Sequence, residues 1–379
     1  MFSANSSNEA QLAREGARPA LSSLVAHCER WESVSLTVAP GLFLSSIFDL
    51  TRGRLPLLNS LTLDLAGPRR FWSTPFNCFD ICPALRSLRI DPDLFALEEV
   101  SLPWHQIVSL QMSASFNLEA FPVLSLCPGV ECLQVCKIGG QDEDEEDYSG
   151  HVVSNRVKTL DIVVAHEQDD IDGVLRHTTL GGTTSLRICG HYYYVNEEWP
   201  TWSDTHLLHF LERSSCKPAD HRLIPTIKSL CIEELTHENE NRIVTKTFLE
   251  RLAVNAPLDP PSSAPLVPRL TDLKLVVHMK RLKLDPLLKA LSSRWLPDPR
   301  SATKIGVDCL SSVELVGLVK PGQKGGRLDG LFCFRDAGMW LSITYGSLCE
   351  LYPNDEAHQR YENGDDEEEE EEEGPQNKG

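Results

Sequence analysis

The 379-residue sequence predicts an irregular α/β solenoid, parallel strands joined by helices and loops, and three observations predict it. A short apolar phrase recurs along most of the chain. Its spacing is quasi-regular. The stretches between the widest-spaced copies carry apolar residues at three- and four-residue steps, the period of a helix.

The phrase reads apolar-x-x-apolar-x-apolar, usually with a proline two to three residues before its first member. Clear copies are Leu55–Leu63, Cys82–Ile90, Leu102–Met112 and Cys127–Val135. Weaker copies centre on Val34, Leu160, Leu186, Leu230, Leu273 and Val313. The ten central residues lie 27, 27, 22, 23, 27, 26, 44, 43 and 40 positions apart. The first six intervals fall in or near the 20–29 residues of leucine-rich repeats. The last three leave room for a full helix or an insertion. Alternation over Leu61-Thr62-Leu63 puts two side chains on one face of a strand and one on the other. A strand this short cannot bury its apolar face alone, whereas parallel copies stacked side by side share one core. Proline before a copy removes a donor and favours an extended approach.

Helices are expected over Thr205–Ser214, Thr245–Val254 and Pro286–Trp295, with Thr205 and Thr245 as N-caps, and short helical turns over Ala114–Leu126. A strict leucine-rich repeat carries Asn or Cys three residues after the phrase. Here those positions hold Ala66, Asp93, Ser115, Ile138, Ala165 and His191, so irregular turns are expected. Residues 1–20 lack periodicity and are read as a disordered segment, 21–352 as the solenoid and 353–379 as an acidic disordered tail. Five prolines between Pro257 and Pro268 mark an extended connection.

Formal charge is −19, but it is concentrated. The runs Asp142–Asp147 and Glu362–Glu373 supply sixteen acids, and without them 39 acids face 36 bases. A binder driven by phosphate neutralisation needs the opposite balance, so nucleic acid is not an expected partner. The tail suits a basic partner or solubilising disorder equally. No run reaches the eighteen apolar residues of a membrane span, and Met1–Gln11 has no signal-peptide pattern. A cytoplasmic or nuclear location with reduced thiols is expected, and no membrane partner.

The phrases, in this order, resemble the repeat region of the fungal F-box/leucine-rich-repeat-like proteins. The matching pieces are Cys28–Val34, Leu55–Leu63, Leu102–Leu110, Asn117–Phe121 leading into Cys127–Leu133, and Leu211–Cys216, over roughly residues 20–316. In that family an F-box docks on the adaptor of a cullin ubiquitin ligase and the repeats choose the substrate. About twenty residues precede the first repeat-like unit here and carry no F-box pattern. The resemblance therefore implies a substrate-recognition region, with an adaptor partner only if an F-box lies upstream.

The middle residues of the phrases should form a row on the exposed strand face: Thr62, Arg89, Gln111, Gln134, Asp161, Arg187, Lys274 and Glu314. Solenoids bind protein partners on such faces. Tyr192, Tyr193, Tyr194, Trp199 and Trp202 form the densest aromatic cluster, either an interaction hot spot or an insertion packing on itself. Cys78/Cys82 and Cys127/Cys132/Cys136 lack the paired short hooks of zinc sites and read as small core residues. No Gly-x-Ser-x-Gly, His-Glu-x-x-His or Walker loop is present. Gly322–Gly326 lacks the Gly-Lys-Ser/Thr ending, and His166–Asp170 reads as a polar loop. The expectation is a non-enzymatic protein-interaction scaffold without cofactor or metal. The alternatives are an enzyme of irregular α/β fold with an unrecognised site, or an acidic-tail binder of basic proteins.

Overall fold

The computed structural model describes residues 19–37, 47–64, 77–90, 100–113, 122–136, 151–164, 171–190, 204–214, 227–234, 244–254, 266–279, 282–319 and 328–347. The acidic runs, the tyrosine and tryptophan cluster, the six positions after the phrases, His166–Asp170 and Gly322–Gly326 lie outside these.

All ten phrases become strands of one sheet. They are β1 (Ser33–Thr37), β2 (Ser60–Asp64), β3 (Ser87–Ile90), β4 (Ser109–Ser113), β5 (Cys132–Cys136), β7 (Thr159–Val164), β9 (Ser185–Gly190), β10 (Ser229–Glu233), β11 (Asp272–His278) and β12 (Ser312–Leu318). An eleventh, β13 (Trp340–Gly346), follows without having been foreseen. The order β1-β2-β3-β4-β5-β7-β9-β10-β11-β12-β13 is the order of the chain, and every pairing is parallel. The sheet is open, with β1 and β13 at its edges. This is the α/β solenoid of leucine-rich-repeat type that the spacing predicts. A separate two-stranded sheet joins β6 (Val152–Val153) to β8 (Thr178–Thr179).

One register holds throughout. Val34, Leu61, Leu88, Leu110, Leu133, Leu160, Leu186, Leu230, Leu273, Val313 and Leu341 are successive Cα partners. From Leu61 to Val313 each of these is at most 2% exposed. The register is keyed by a repeated double bond at the strand entrance. The Glu32 carbonyl accepts from the N–H groups of Asn59 and Ser60, and the Asn59 carbonyl from those of Arg86 and Ser87. The same pairing recurs strand by strand as far as the Thr271 carbonyl, which accepts from Ser311 and Ser312 at 2.8 and 3.0 Å. Entry backbone groups are thus satisfied in the same way from β1 to β12, while β13 keeps a single bond, from the Trp340 N–H to the Ser311 carbonyl at 3.0 Å.

Helices cover the leucine face. Leu207, Phe210 and Leu211 from Asp204–Ser214, Phe248, Leu249 and Leu252 from Lys246–Leu252, and Leu287, Ala290 and Leu291 from Leu284–Arg294 enter the shared core. Three- and four-residue steps put these side chains on one stripe of each helix. The wide intervals predicted for the last repeats are filled by these three helices and by Pro299–Ile305. Thr245 caps as expected, its Oγ1 accepting from the Phe248 N–H at 3.0 Å. The helix that the sequence starts at Thr205 begins at Asp204, which places Thr205 inside its first turn. Of Ala114–Leu126, the described part contains the short helix Pro122–Leu126.

Two glycines fix local geometry. A Cβ on Gly182 would lie 2.1 Å from the Asn155 carbonyl oxygen, so only glycine lets these backbones approach. Gly338, at φ +98°, ends the helix Asp329–Asp336, its N–H bonded to the Arg335 carbonyl.

The expected extended approach fails at Val267, which takes φ +44° immediately before Pro268, a strained state for a β-branched residue. Arg294 explains how it is held. This guanidinium is fully buried in the last helical turn of Leu284–Arg294. Its Nε donates to the Leu252 carbonyl at 2.6 Å, Nη1 to the Val267 carbonyl at 3.0 Å, and Nη2 to the Leu266 carbonyl. Leu252 ends one helix and Leu266 opens the approach to β11, so one cation ties three backbone segments. Burial pushes Arg294 down to about 10, and it remains charged at neutral pH.

Candidate functional site

Alternation leaves one sheet face to the helices and the other to polar side chains. On this open face the register brings together all eight residues of the predicted row. Thr62, Arg89, Gln111, Gln134, Asp161 and Arg187 are successive partners, and Lys274 pairs with Glu314. Cys231 stands between Arg187 and Lys274, while Ser35 and Ser342 extend the row to the edges. Arg89 is exposed and the other seven predicted members are half-buried. Tyr192, Tyr193, Tyr194, Trp199 and Trp202 lie outside the described residues.

The next row along the strands was not foreseen. Val163, Cys189, Glu233, Val276 and Val316 are successive partners on the same face, and all are buried. Glu233 is therefore a carboxylate set among apolar neighbours, its side chain only 4% exposed. Two half-buried cations from the middle row reach it. Arg187 Nη2 donates to Glu233 Oε2 at 2.9 Å, and Lys274 Nζ lies 3.4 Å from Oε1. The Cys231 thiol donates to Oε1 at 3.4 Å. Lys274 also lies 3.6 Å from Glu314, so the charges alternate from Asp161 through Arg187, Glu233 and Lys274 to Glu314.

Burial pushes the Glu233 carboxyl up, but its bond to Arg187 and the two nearby cations outweigh burial and hold it below the ordinary range. Asp161 goes the other way. Burial raises it, Arg187 offsets part of that, and Glu233 adds to the rise. The two carboxyls of one network are thus shifted in opposite directions. Cys189 and Cys231 are both pushed up to about 12, chiefly by burial, which leaves their thiols protonated and unreactive at neutral pH.

Cys78, Cys82 and Cys127 are buried core residues, as the sequence suggests, with Cys82 and Cys127 pushed up to about 12 by burial. Cys132 and Cys136 lie on the open face of β5. Among the described residues no three His, Cys, Asp or Glu side chains are grouped to hold a metal ion. Nor is any described helix long and apolar enough to cross a membrane.

At the first position of each strand the open face carries Ser33, Ser60, Ser87, Ser109, Cys132, Thr159, Ser185, Ser229, Asp272, Ser312 and finally Trp340. Small polar side chains line this row until Trp340, which is 57% exposed.

Glu233 and Cys231 were legible in principle. Extending the alternation past Leu230 and Ile232 lands on both. Trp340 was hidden because Gly338 occupies the place of the phrase's first apolar residue, and the neighbouring Met339 is buried instead.

The fold and face define a parallel-strand repeat protein with a polar, charge-networked open surface. No protein-family model matches the sequence, and no curated protein matches it. Among solved structures it is similar to the leucine-rich repeat-containing protein LegL7 from Legionella pneumophila. Identity is 13%, with 81% of this chain and 97% of that chain covered and a TM-score of 0.35.

Proposed function

We propose that this chain is a non-enzymatic recognition scaffold that holds a protein partner on the open face of its sheet. The observation that supports this reading is the continuous row of polar side chains from Thr62 to Glu314, presented by neighbouring parallel strands on a rigid core. A row spread over many strands suits a protein surface better than a small substrate, which needs a pocket with convergent groups. The finer reading follows the resemblance to fungal F-box/leucine-rich-repeat-like proteins: the repeats select substrates for ubiquitin transfer.

The test compares the intact chain with a variant carrying Thr62→Lys, Arg89→Glu, Gln111→Lys and Gln134→Lys. A control carries Arg300→Glu and Lys304→Glu on the exposed surface of the helix Pro299–Ile305. Proteins recovered with the wild-type chain and with the control should be lost, at least tenfold, with the open-face variant. Equal recovery by all three contradicts the reading. Recovery of a cullin-ligase adaptor among them supports the ligase role, while its absence leaves only the scaffold.

A further inference from the structure

We propose that Trp340, Asp272 and Glu314 form a slot on the open face that seats a lysine or arginine side chain of the bound protein; this rests on the scaffold reading above. Asp272, Ser312 and Trp340 are successive first-position partners on β11, β12 and β13. Parallel strands lie about 4.8 Å apart, so Trp340 and Asp272 stand roughly 10 Å apart with only the small Ser312 between them. An extended aliphatic stem and its charged head fit a gap of that width. Glu314 is two residues further along the middle strand and borders the same gap diagonally.

The chemistry of the walls selects a cation. Trp340 is 57% exposed where nine other strands place Ser, Thr or Cys, so the large ring is confined to this end of the row. An indole face attracts ammonium and guanidinium groups within about 6 Å of its centroid. Asp272 is exposed, and among the described residues its carboxylate accepts a bond from the Thr271 hydroxyl at 2.6 Å and has no cationic partner. Lys274, the base two residues along β11 from Asp272 on the open face, is shared between Glu233 and Glu314 at 3.4 and 3.6 Å. Two carboxylates at the slot against one already committed ammonium leave a deficit of positive charge, which a partner's basic side chain supplies. Exposed tryptophan is also the side chain most enriched where interfaces concentrate their binding energy.

The test uses the full chain with ¹⁵N-labelled tryptophan side chains, the Trp340 indole signal being assigned by its loss in Trp340→Phe. The probes are acetyl-Gly-Arg-Gly-amide and acetyl-Gly-Lys-Gly-amide, with acetyl-Gly-Gln-Gly-amide as the neutral comparison. The Trp340 signal should move saturably with the basic peptides and stay fixed with the glutamine peptide. The midpoint should rise at least tenfold in Asp272→Asn/Glu314→Gln, whose other indole signals stay in place. An immobile Trp340 signal, an equal response to the glutamine peptide, or an unchanged midpoint in the double variant overturns the slot. Each of these leaves the four-residue test of the wider face unaffected, so the slot and the scaffold fail separately.

Discussion

Replacing Arg294 with leucine is expected to destabilise the chain by about 3–5 kcal/mol, the range for removing one partner from a buried charged network. Buried ion pairs are often replaced by apolar residues at little cost. Here the partners are not a carboxylate that could be removed as well. They are three backbone carbonyls, of Leu252, Leu266 and Val267, that stay buried whatever occupies position 294. The Leu252 and Leu266 carbonyls lose their guanidinium donors at about 1–3 kcal/mol each, while the Val267 carbonyl keeps the Leu270 N–H at 3.1 Å and loses its tie to position 294. Arg294→Lys should recover only part of the loss, because one ammonium cannot span three carbonyls as a planar guanidinium does. Urea unfolding checks this. Arg300→Ala, at an exposed position, should fall within about 0.5 kcal/mol of wild type. An Arg294→Leu midpoint equal to that of wild type would remove the clamp from the account.

The second large effect lies in the charge network and has two signs. Glu233→Gln should cost about 1–2 kcal/mol at neutral pH, less than the 3–5 typical of a fully buried pair, because Arg187 and Lys274 are more than a third exposed and regain water. Asp161→Asn should be neutral or slightly stabilising, within about 0.5 kcal/mol of wild type. The difference follows from linkage. The folded value of Glu233 lies below its unfolded value, so its contribution is complete above the ordinary carboxylate range, about pH 5, and is lost as pH falls through the lowered value. The folded value of Asp161 lies above its unfolded value, so ionisation costs stability at neutral pH and the cost disappears as pH falls through the ordinary range. Urea midpoints between pH 3 and 7 should therefore show the wild-type and Glu233→Gln curves converging only in acid. A gap that persists undiminished at pH 3 would assign the effect to packing rather than charge.

How much of this was legible follows from the kind of regularity each feature has. The strands were readable because a solenoid repeats one local rule. Leu61, Leu88, Leu110 and Leu133 must all face the core, and the residue after each must then face away from it. That rule gave the row Thr62 to Glu314 in correct register, including copies as weak as Val34 and Val313. It missed β13, where the left-handed Gly338 interrupts the phrase. It also missed Glu233, because a charged residue at an alternating position reads as solvent-facing although the face closes over there. Arg294 had no signal at all: on a helical pattern an arginine in the last turn reads as a surface residue near the carbonyl end, and its burial depends on segments 42 and 27 residues away.

The stacking of repeats in chain order builds the open face on which the proposed function rests, and one cross-linking experiment tests it most directly. Ser185 and Ser229 are register partners on adjacent strands although 44 residues and a helix separate them. Thr159 and Ser229 occupy the same row with β9 between them. Neighbouring parallel strands lie about 4.8 Å apart, inside the 4.4–6.8 Å Cα range a disulfide spans, whereas a gap of two strands is roughly 10 Å. Oxidised Ser185→Cys/Ser229→Cys should give a linked tryptic peptide pair by mass spectrometry, and Thr159→Cys/Ser229→Cys should not. A bridge in the second variant with none in the first would mean that the strands are not stacked in the order of the chain.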